Sequence, residues 1–223
     1  MLNVLELLFP KCCLGCGKKL LQRESLLCTQ CRHEMPLACF HRTGDPSLKN
    51  RFYGRFPLEN ATALTYFSKK GITQELLHNL KYRGHQELSH FFGKWLGAEL
   101  AQLPEYQNVE MVIPVPLHRK RLLKRGYNQV SGFGKELAVS LGIPFREDIL
   151  VKELAASTQV FKKRVNRFND QNNFSLRYPD AISKRHLLLV DDITTTGATL
   201  EQCALALLKA PEVKLSIATI AVA

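Results

Sequence analysis

The sequence predicts an α/β fold: a mainly parallel sheet flanked by helices, with a small cysteine-rich module ahead of it. Short apolar runs that read as buried strands alternate with stretches whose apolar residues recur at helical spacing. That alternation argues for a parallel sheet covered on both faces. Five of the seven cysteines fall between Cys12 and Cys31, at one end of the chain. Secreted disulfide frameworks spread their cysteines along the domain they staple, so this clustering argues against one.

Taken in order, residues 1–45 form the cysteine-rich module and residues 60–223 the α/β domain. Leu2, Leu5, Leu8 and Phe9 can form one face of a short docking helix. Asn3 and Glu6 interrupt that segment, which lacks the basic leader and cleavage site of a signal peptide. A cytoplasmic protein without membrane insertion is expected. A loop with Gly44, Asp45, Pro46, Ser47, Gly54 and Pro57 as breakers runs to residue 60. Residues 61–67 are strand-like. Ile72, Leu76, Leu77 and Leu80 then repeat at helical spacing, as do Leu88, Phe91, Phe92, Trp95, Leu96, Leu100 and Leu103. Residues 111–116 read as a strand ended by Pro114 and Pro116. A basic loop spans 117–129, and Val130, Phe133, Leu137 and Leu141 suggest a helix closed near Gly142. Residues 155–186 are polar and basic with weak periodicity. A strand at 187–190, a helix at 197–209 and a strand at 214–223 complete the chain.

Composition narrows the functional classes. At 223 residues there is room for one substantial α/β core plus a small appendage. A hydrophobic content of 45% excludes wholesale disorder. A formal net charge of +11 favours polyanionic partners: nucleic acid, phosphorylated metabolites or an acidic surface.

Cys13-x2-Cys16 and Cys28-x2-Cys31 supply four thiolates in two pairs eleven residues apart, the arrangement of a structural zinc site. Four thiolates leave no open coordination position. Lys11, Lys18 and Lys19 offset the negative charge of such a site, and the metal replaces the core that a 40-residue segment lacks. Cys12-x3-Cys16 is an alternative ligand pair, and Cys39 reads as a buried or spare thiol.

The other informative stretch is 187–200. A buried strand leads into Asp191 and Asp192, then a hydroxyl-rich turn through Thr194, Thr195, Thr196, Gly197, Ala198 and Thr199, then a helix. N–H groups at a helix start suit a phosphate, and carboxylates suit a sugar diol. A phosphorylated ribose matches both. An acidic strand end with a helix cap at Thr196 accounts for any one of these elements, but not for their combination. Complementary charge comes from Lys81, Tyr82, Arg83 and Gly84 at a helix end, and from Arg119, Lys120, Arg121, Lys124 and Arg125, a run with no acid.

These residues carry a family resemblance. Residues 190–199 resemble the phosphoribosyl pyrophosphate motif of the type I phosphoribosyltransferases. Val112-Ile113-Pro114-Val115-Pro116-Leu117-His118, with Arg121 and Arg125-Gly126-Tyr127-Asn128-Gln129, is similar to the ComF/GntX family within them. Lys81 to Gly84, the cysteine pairs, Thr158-Gln159, Arg164, Arg167 and Asn173-Phe174 belong to the same pattern. The resemblance implies a type I phosphoribosyltransferase-like sheet of five parallel strands with a zinc-binding head. It implies phosphoribosyl pyrophosphate bound with Mg²⁺, and a role in handling single-stranded DNA during natural competence, beside a helicase partner. By position, Asp191 and Asp192 would face the ribose and residues 194–199 the 5-phosphate. Lys81 to Gly84 would form the pyrophosphate loop, and residues 119–125 a mobile loop over it. In a transferase, Asp191, Asp192, Lys81, Arg121 and Arg125 would be the catalytic set. No role is carried over for Asn169.

Three classes of function fit the sequence: a phosphoribosyltransferase, a single-stranded DNA-binding factor that retains the phosphoribosyl site, and a helicase-docking scaffold. Arg51, Phe52, Tyr53, Arg55 and Phe56 could stack and track a single strand, or simply pack as a loop.

Overall fold

The computed structural model describes residues 10–152 and 173–223. The docking face at Leu2–Phe9, and Thr158, Gln159, Arg164, Arg167 and Asn169, lie outside them. Among the described residues no helix is long and apolar enough to cross a membrane.

A five-residue helix α1 (Thr29–His33) sits in the cysteine module. Strand β1 (Asn60–Tyr66) leads to helices α2 (Ile72–Tyr82) and α3 (Glu87–Leu100). Strand β2 (Met111–Pro114) precedes α4 (Arg119–Arg125) and α5 (Ser131–Leu141), which is closed at Gly142. Strands β3 (Leu150–Lys152) and β4 (Phe174–Leu176) pair antiparallel as a separate ribbon. Strand β5 (His186–Thr194), helix α6 (Ala198–Leu207) and strand β6 (Lys214–Val222) follow.

The main sheet has the order β1-β6-β5-β2, and every pairing in it is parallel. The flanked parallel sheet expected from the sequence is therefore present, but with four strands. Where a fifth would lie, Phe145 makes a single parallel bridge to Val112. Val112 donates to the Pro144 carbonyl and accepts from Arg146, both at 2.9 Å. Pro144 has no N–H to extend the ladder at one end, and Pro114 of β2 has none to extend it at the other.

Strand side chains alternate between faces. Leu188 and Val190 join Leu76, Leu80, Phe92, Phe133 and Leu137 on one side of the sheet. Leu187 and Leu189 join Leu200, Cys203, Ala204 and Leu207 on the other. The apolar run at 187–190 is thus unbroken because both faces are covered. The same alternation continues into the acid pair and sends Asp191 and Asp192 to opposite faces. Cys13, Cys28 and Cys31 belong to the cluster of the first face, so the cysteine module packs directly onto α2.

The segment at 119–125, expected as a loop, is a two-turn helix. His118 Nδ1 accepts from the Lys120 N–H at 3.2 Å as its cap, and Gly126 ends it with φ of 78°, a left-handed conformation that glycine adopts without strain.

Candidate functional site

Asp192 is buried at the carboxyl end of β5, where parallel α/β sheets present their ligand crevices. Its Oδ1 accepts from Lys81 Nζ at 2.9 Å and its Oδ2 from Gln129 Nε2 at 2.7 Å. Lys81 reaches it from the last turn of α2. The end of that turn is fixed because the Tyr127 hydroxyl donates to the carbonyl of Leu80.

Lys81, Tyr82, Gly84, Arg121, Lys124, Arg125 and Tyr127 line a cavity of about 450 Å³. Two segments forty residues apart in sequence thus bring four cations to one concave surface, as an anion such as pyrophosphate requires. The Arg125 guanidinium lies 5.2 Å from the Tyr82 ring centre, and Tyr82 is largely exposed. Arg83 does not line this cavity: it turns back to Glu75 Oε1 at 2.8 Å and Asn79 Oδ1 at 2.9 Å.

Asp191 lies on the opposite face and accepts from the Asp192 N–H at 2.8 Å. Desolvation, then the neighbouring Asp192 charge, pushes its carboxyl up to about 8. Past it, Thr194 is buried while Thr195 and Thr196 are exposed. Gly197 has φ of 76°, and a Cβ there would meet Phe52 at 2.5 Å. The residue that starts helix α6, Gly197, has no side chain to cap it. The Ala198 N–H reaches Thr196 Oγ1 at 3.4 Å, and Ala198 and Thr199 are exposed on the first turn.

Sequence reasoning missed what supports this turn. Arg55 Nη1 donates to the Thr196 carbonyl at 2.8 Å and pairs with Glu201, and Arg51 Nη1 reaches the Thr195 carbonyl at 3.4 Å. Phe52 and Phe56 are buried beneath, leaving Tyr53 as the exposed aromatic of that stretch. The phenylalanines therefore pack the core instead of offering stacking surfaces. Arginine and aromatic side chains in one loop were a visible signal, but their partners lie far along the chain.

In the cysteine module the sulfurs of Cys13, Cys16, Cys28 and Cys31 all lie within 4.8 Å of one another, close enough to hold one metal ion. Cys13 Sγ accepts from the Cys28 N–H at 3.3 Å and the Gly15 N–H at 3.4 Å. Burial alone would raise the Cys13 thiol, but backbone donors led by Cys28 outweigh it and lower it to about 7. Burial and the neighbouring thiols push Cys31 up. Cys12 is exposed and its thiol points to the Pro10 carbonyl, so Cys13 is the member of the cluster. Cys39 stands outside it.

No family model matches the chain. It is 30% identical over 138 residues to the DNA utilization protein YhgH of Escherichia coli O157:H7, covering 60% of each. It is 38% identical over 99 residues to Competence protein F of Haemophilus influenzae, covering 42% of each. To Competence protein ComFC of Streptococcus pneumoniae it is 30% identical over 136 residues, covering 61% of this chain and 57% of that one. The chain thus spans about 60% of the length of the first of these curated relatives and less of the other two. Among solved structures it is similar to a glutamine phosphoribosylpyrophosphate amidotransferase from B. subtilis, with a TM-score of 0.39 and 22% identity, over 57% of this chain and 26% of that one. The chain is a homologue of these bacterial competence and DNA-utilization proteins, in keeping with the ComF/GntX resemblance of its motifs.

Proposed function

We propose that the chain is a ComF-like competence protein that binds phosphoribosyl pyrophosphate with Mg²⁺ at the carboxyl end of β5, and holds a structural zinc ion at its four cysteines. The observation that carries the first part is the cavity of Lys81, Arg121, Lys124 and Arg125, whose Lys81 is joined to the buried Asp192. In this reading the four cations hold the pyrophosphate, with Tyr82 and Gly84 shaping the wall. Asp192 and Asp191 receive the ribose hydroxyls. Residues 194–199 hold the 5-phosphate at the start of α6, where Ala198 and Thr199 are exposed on the first turn. When bound, Mg²⁺ would neutralise pyrophosphate charge and improve it as a leaving group. The cations that bind pyrophosphate also stabilise it as it departs from C1 of the sugar, which is the catalytic role open to Lys81, Arg121 and Arg125 in a phosphoribosyltransferase. For zinc, the donor set is the argument: four thiols in two knuckles, with N–H groups aimed at sulfur, suit a tetrahedral ion without an open position.

Calorimetric titration with phosphoribosyl pyrophosphate and Mg²⁺ tests this reading, with the Asp191→Asn/Asp192→Asn variant alongside. Saturable binding lost in the variant is expected. Absence of binding by the unmodified protein would overturn it.

A second reading, single-stranded DNA binding in competence, is favoured by the names of the relatives and by exposed Tyr82 lying under Arg125 at the cationic cavity. Affinity for a single strand should then fall steeply with salt and drop in a Tyr82→Ala variant. A salt-indifferent affinity would defeat it. A helicase partner remains the third element of this proposal, tested by co-purification with the cysteine module intact or altered.

A further inference from the structure

Tyr127, Asn128 and Gln129 stood out in the sequence without a role. Each ties the end of the basic segment to a different part of the site: Tyr127 to the Leu80 carbonyl, Asn128 Nδ2 to the Val115 carbonyl at 3.0 Å, and Gln129 to Asp192. Gln129 does more than anchor. Its Oε1 accepts from Arg125 Nη1 at 2.7 Å while its Nε2 donates to Asp192 Oδ2 at 2.7 Å. A guanidinium only donates and a carboxylate only accepts, so one orientation of the amide satisfies both. Its backbone is equally fixed: the Gln129 carbonyl accepts from Ser89 Oγ at 2.6 Å, and that oxygen accepts from the Phe133 N–H at 2.8 Å. Gln129 is buried, so loss of either partner would leave a desolvated group unpaired.

We infer that Gln129 is a positioning residue that sets the two halves of the site in register, holding Asp192 for the ribose with its N–H and Arg125 for the pyrophosphate with its carbonyl oxygen. This rests on the phosphoribosyl pyrophosphate reading above. Each oxygen of Asp192 takes one protein donor, from Lys81 and from Gln129, and keeps a lone pair for a sugar hydroxyl. Arg125 spends one N–H on Gln129 and keeps others for an anion. Gln129 needs no contact with the ligand. It acts through two groups that have one.

The test uses the two halves of the ligand as separate probes: ribose 5-phosphate and inorganic pyrophosphate, titrated calorimetrically into the full chain with Mg²⁺. Gln129→Glu keeps an acceptor for Arg125 but sets a carboxylate against Asp192. Ribose 5-phosphate affinity should fall about tenfold or more while pyrophosphate affinity stays within about twofold. Gln129→Ala removes both bonds and should weaken both probes, each by about three- to tenfold. Arg125→Ala should weaken pyrophosphate alone. A residue that merely supports the fold would not separate the probes. The inference is overturned if Gln129→Glu leaves the ratio of the two affinities at its original value, or if both glutamine variants bind both probes as the unmodified protein does. If the unmodified protein binds neither probe nor phosphoribosyl pyrophosphate, the underlying reading itself fails, an outcome distinct from unchanged ratios.

Discussion

Asn79 donates from Nδ2 to the carbonyl oxygen of Leu14 at 2.7 Å, inside the first cysteine knuckle. Asn79 lies two residues before Lys81 on α2, so the helix that carries a cation to Asp192 also carries the knuckle. Asn79→Ala should lower unfolding free energy by about 1–2 kcal/mol, the cost of leaving a partly buried carbonyl without its donor. Denaturant midpoints would measure it; an unchanged midpoint would mean the bond carries no weight.

Metal content separates the candidate ligands. Protein prepared without chelator should hold about one zinc ion per chain. Cys12→Ser should retain it, since Cys12 faces outward, whereas Cys13→Ser should lose it and melt at lower temperature. Equal zinc in both variants would contradict the assignment of Cys13.

The pair Lys81–Asp192 is mostly shielded from water, with the lysine side chain 20% and the aspartate side chain 6% exposed. Removing one partner strands a buried charge, so Lys81→Ala should destabilise by about 3 kcal/mol. Adding Asp192→Asn should recover part of that loss. Additive losses in the double variant would show that the two groups are not coupled.

Asp191 should make stability fall as pH rises. Its carboxyl sits at about 8 in the folded chain against an ordinary 3.8. The folded state therefore holds a proton that the unfolded state has already released. No penalty applies below the ordinary value, it grows between the two, and it is complete above about 8. Asp191→Asn should flatten the decline in melting temperature between pH 5 and 9 while weakening ribose 5-phosphate binding. An identical pH slope in the variant would refute this.

Arg55 braces the threonine turn from behind through the Thr196 carbonyl and Glu201. Arg55→Ala should weaken ribose 5-phosphate binding by about three- to tenfold and leave pyrophosphate binding alone. Equal weakening of both would place Arg55 in general support.

What was legible in the sequence follows from how local each signal is. The strand at 187–190, its acid pair and the glycine before α6 are one contiguous pattern, and the two cysteine pairs announce themselves by spacing. The helical state of 119–125 gave no such signal, because it buries none of its residues and so has no apolar period. Its cap is a histidine, which is not among the usual capping residues. Arg83 looked like a pyrophosphate ligand by position, but Glu75 and Asn79 on its own helix claim it. Gln129 meets Asp192 across 63 residues of sequence and Arg55 meets Thr196 across 141, separations that no local pattern encodes.

Strand β5 separates the two faces of the sheet and turns a carboxylate toward each. Asp192 pairs with Lys81 of α2, while Asp191 lies on the face that holds Cys203, whose thiol burial pushes well up and the Asp191 charge raises further. Lys152, on the ribbon strand β3, is the cation that steadies Asp191 from that side. The two faces are one strand apart, and charge acts across it: Lys81, the partner of Asp192, also lowers Asp191. A change made wholly behind the sheet, such as neutralising Lys152, would therefore raise Asp191 further while every residue lining the front cavity stayed as it is.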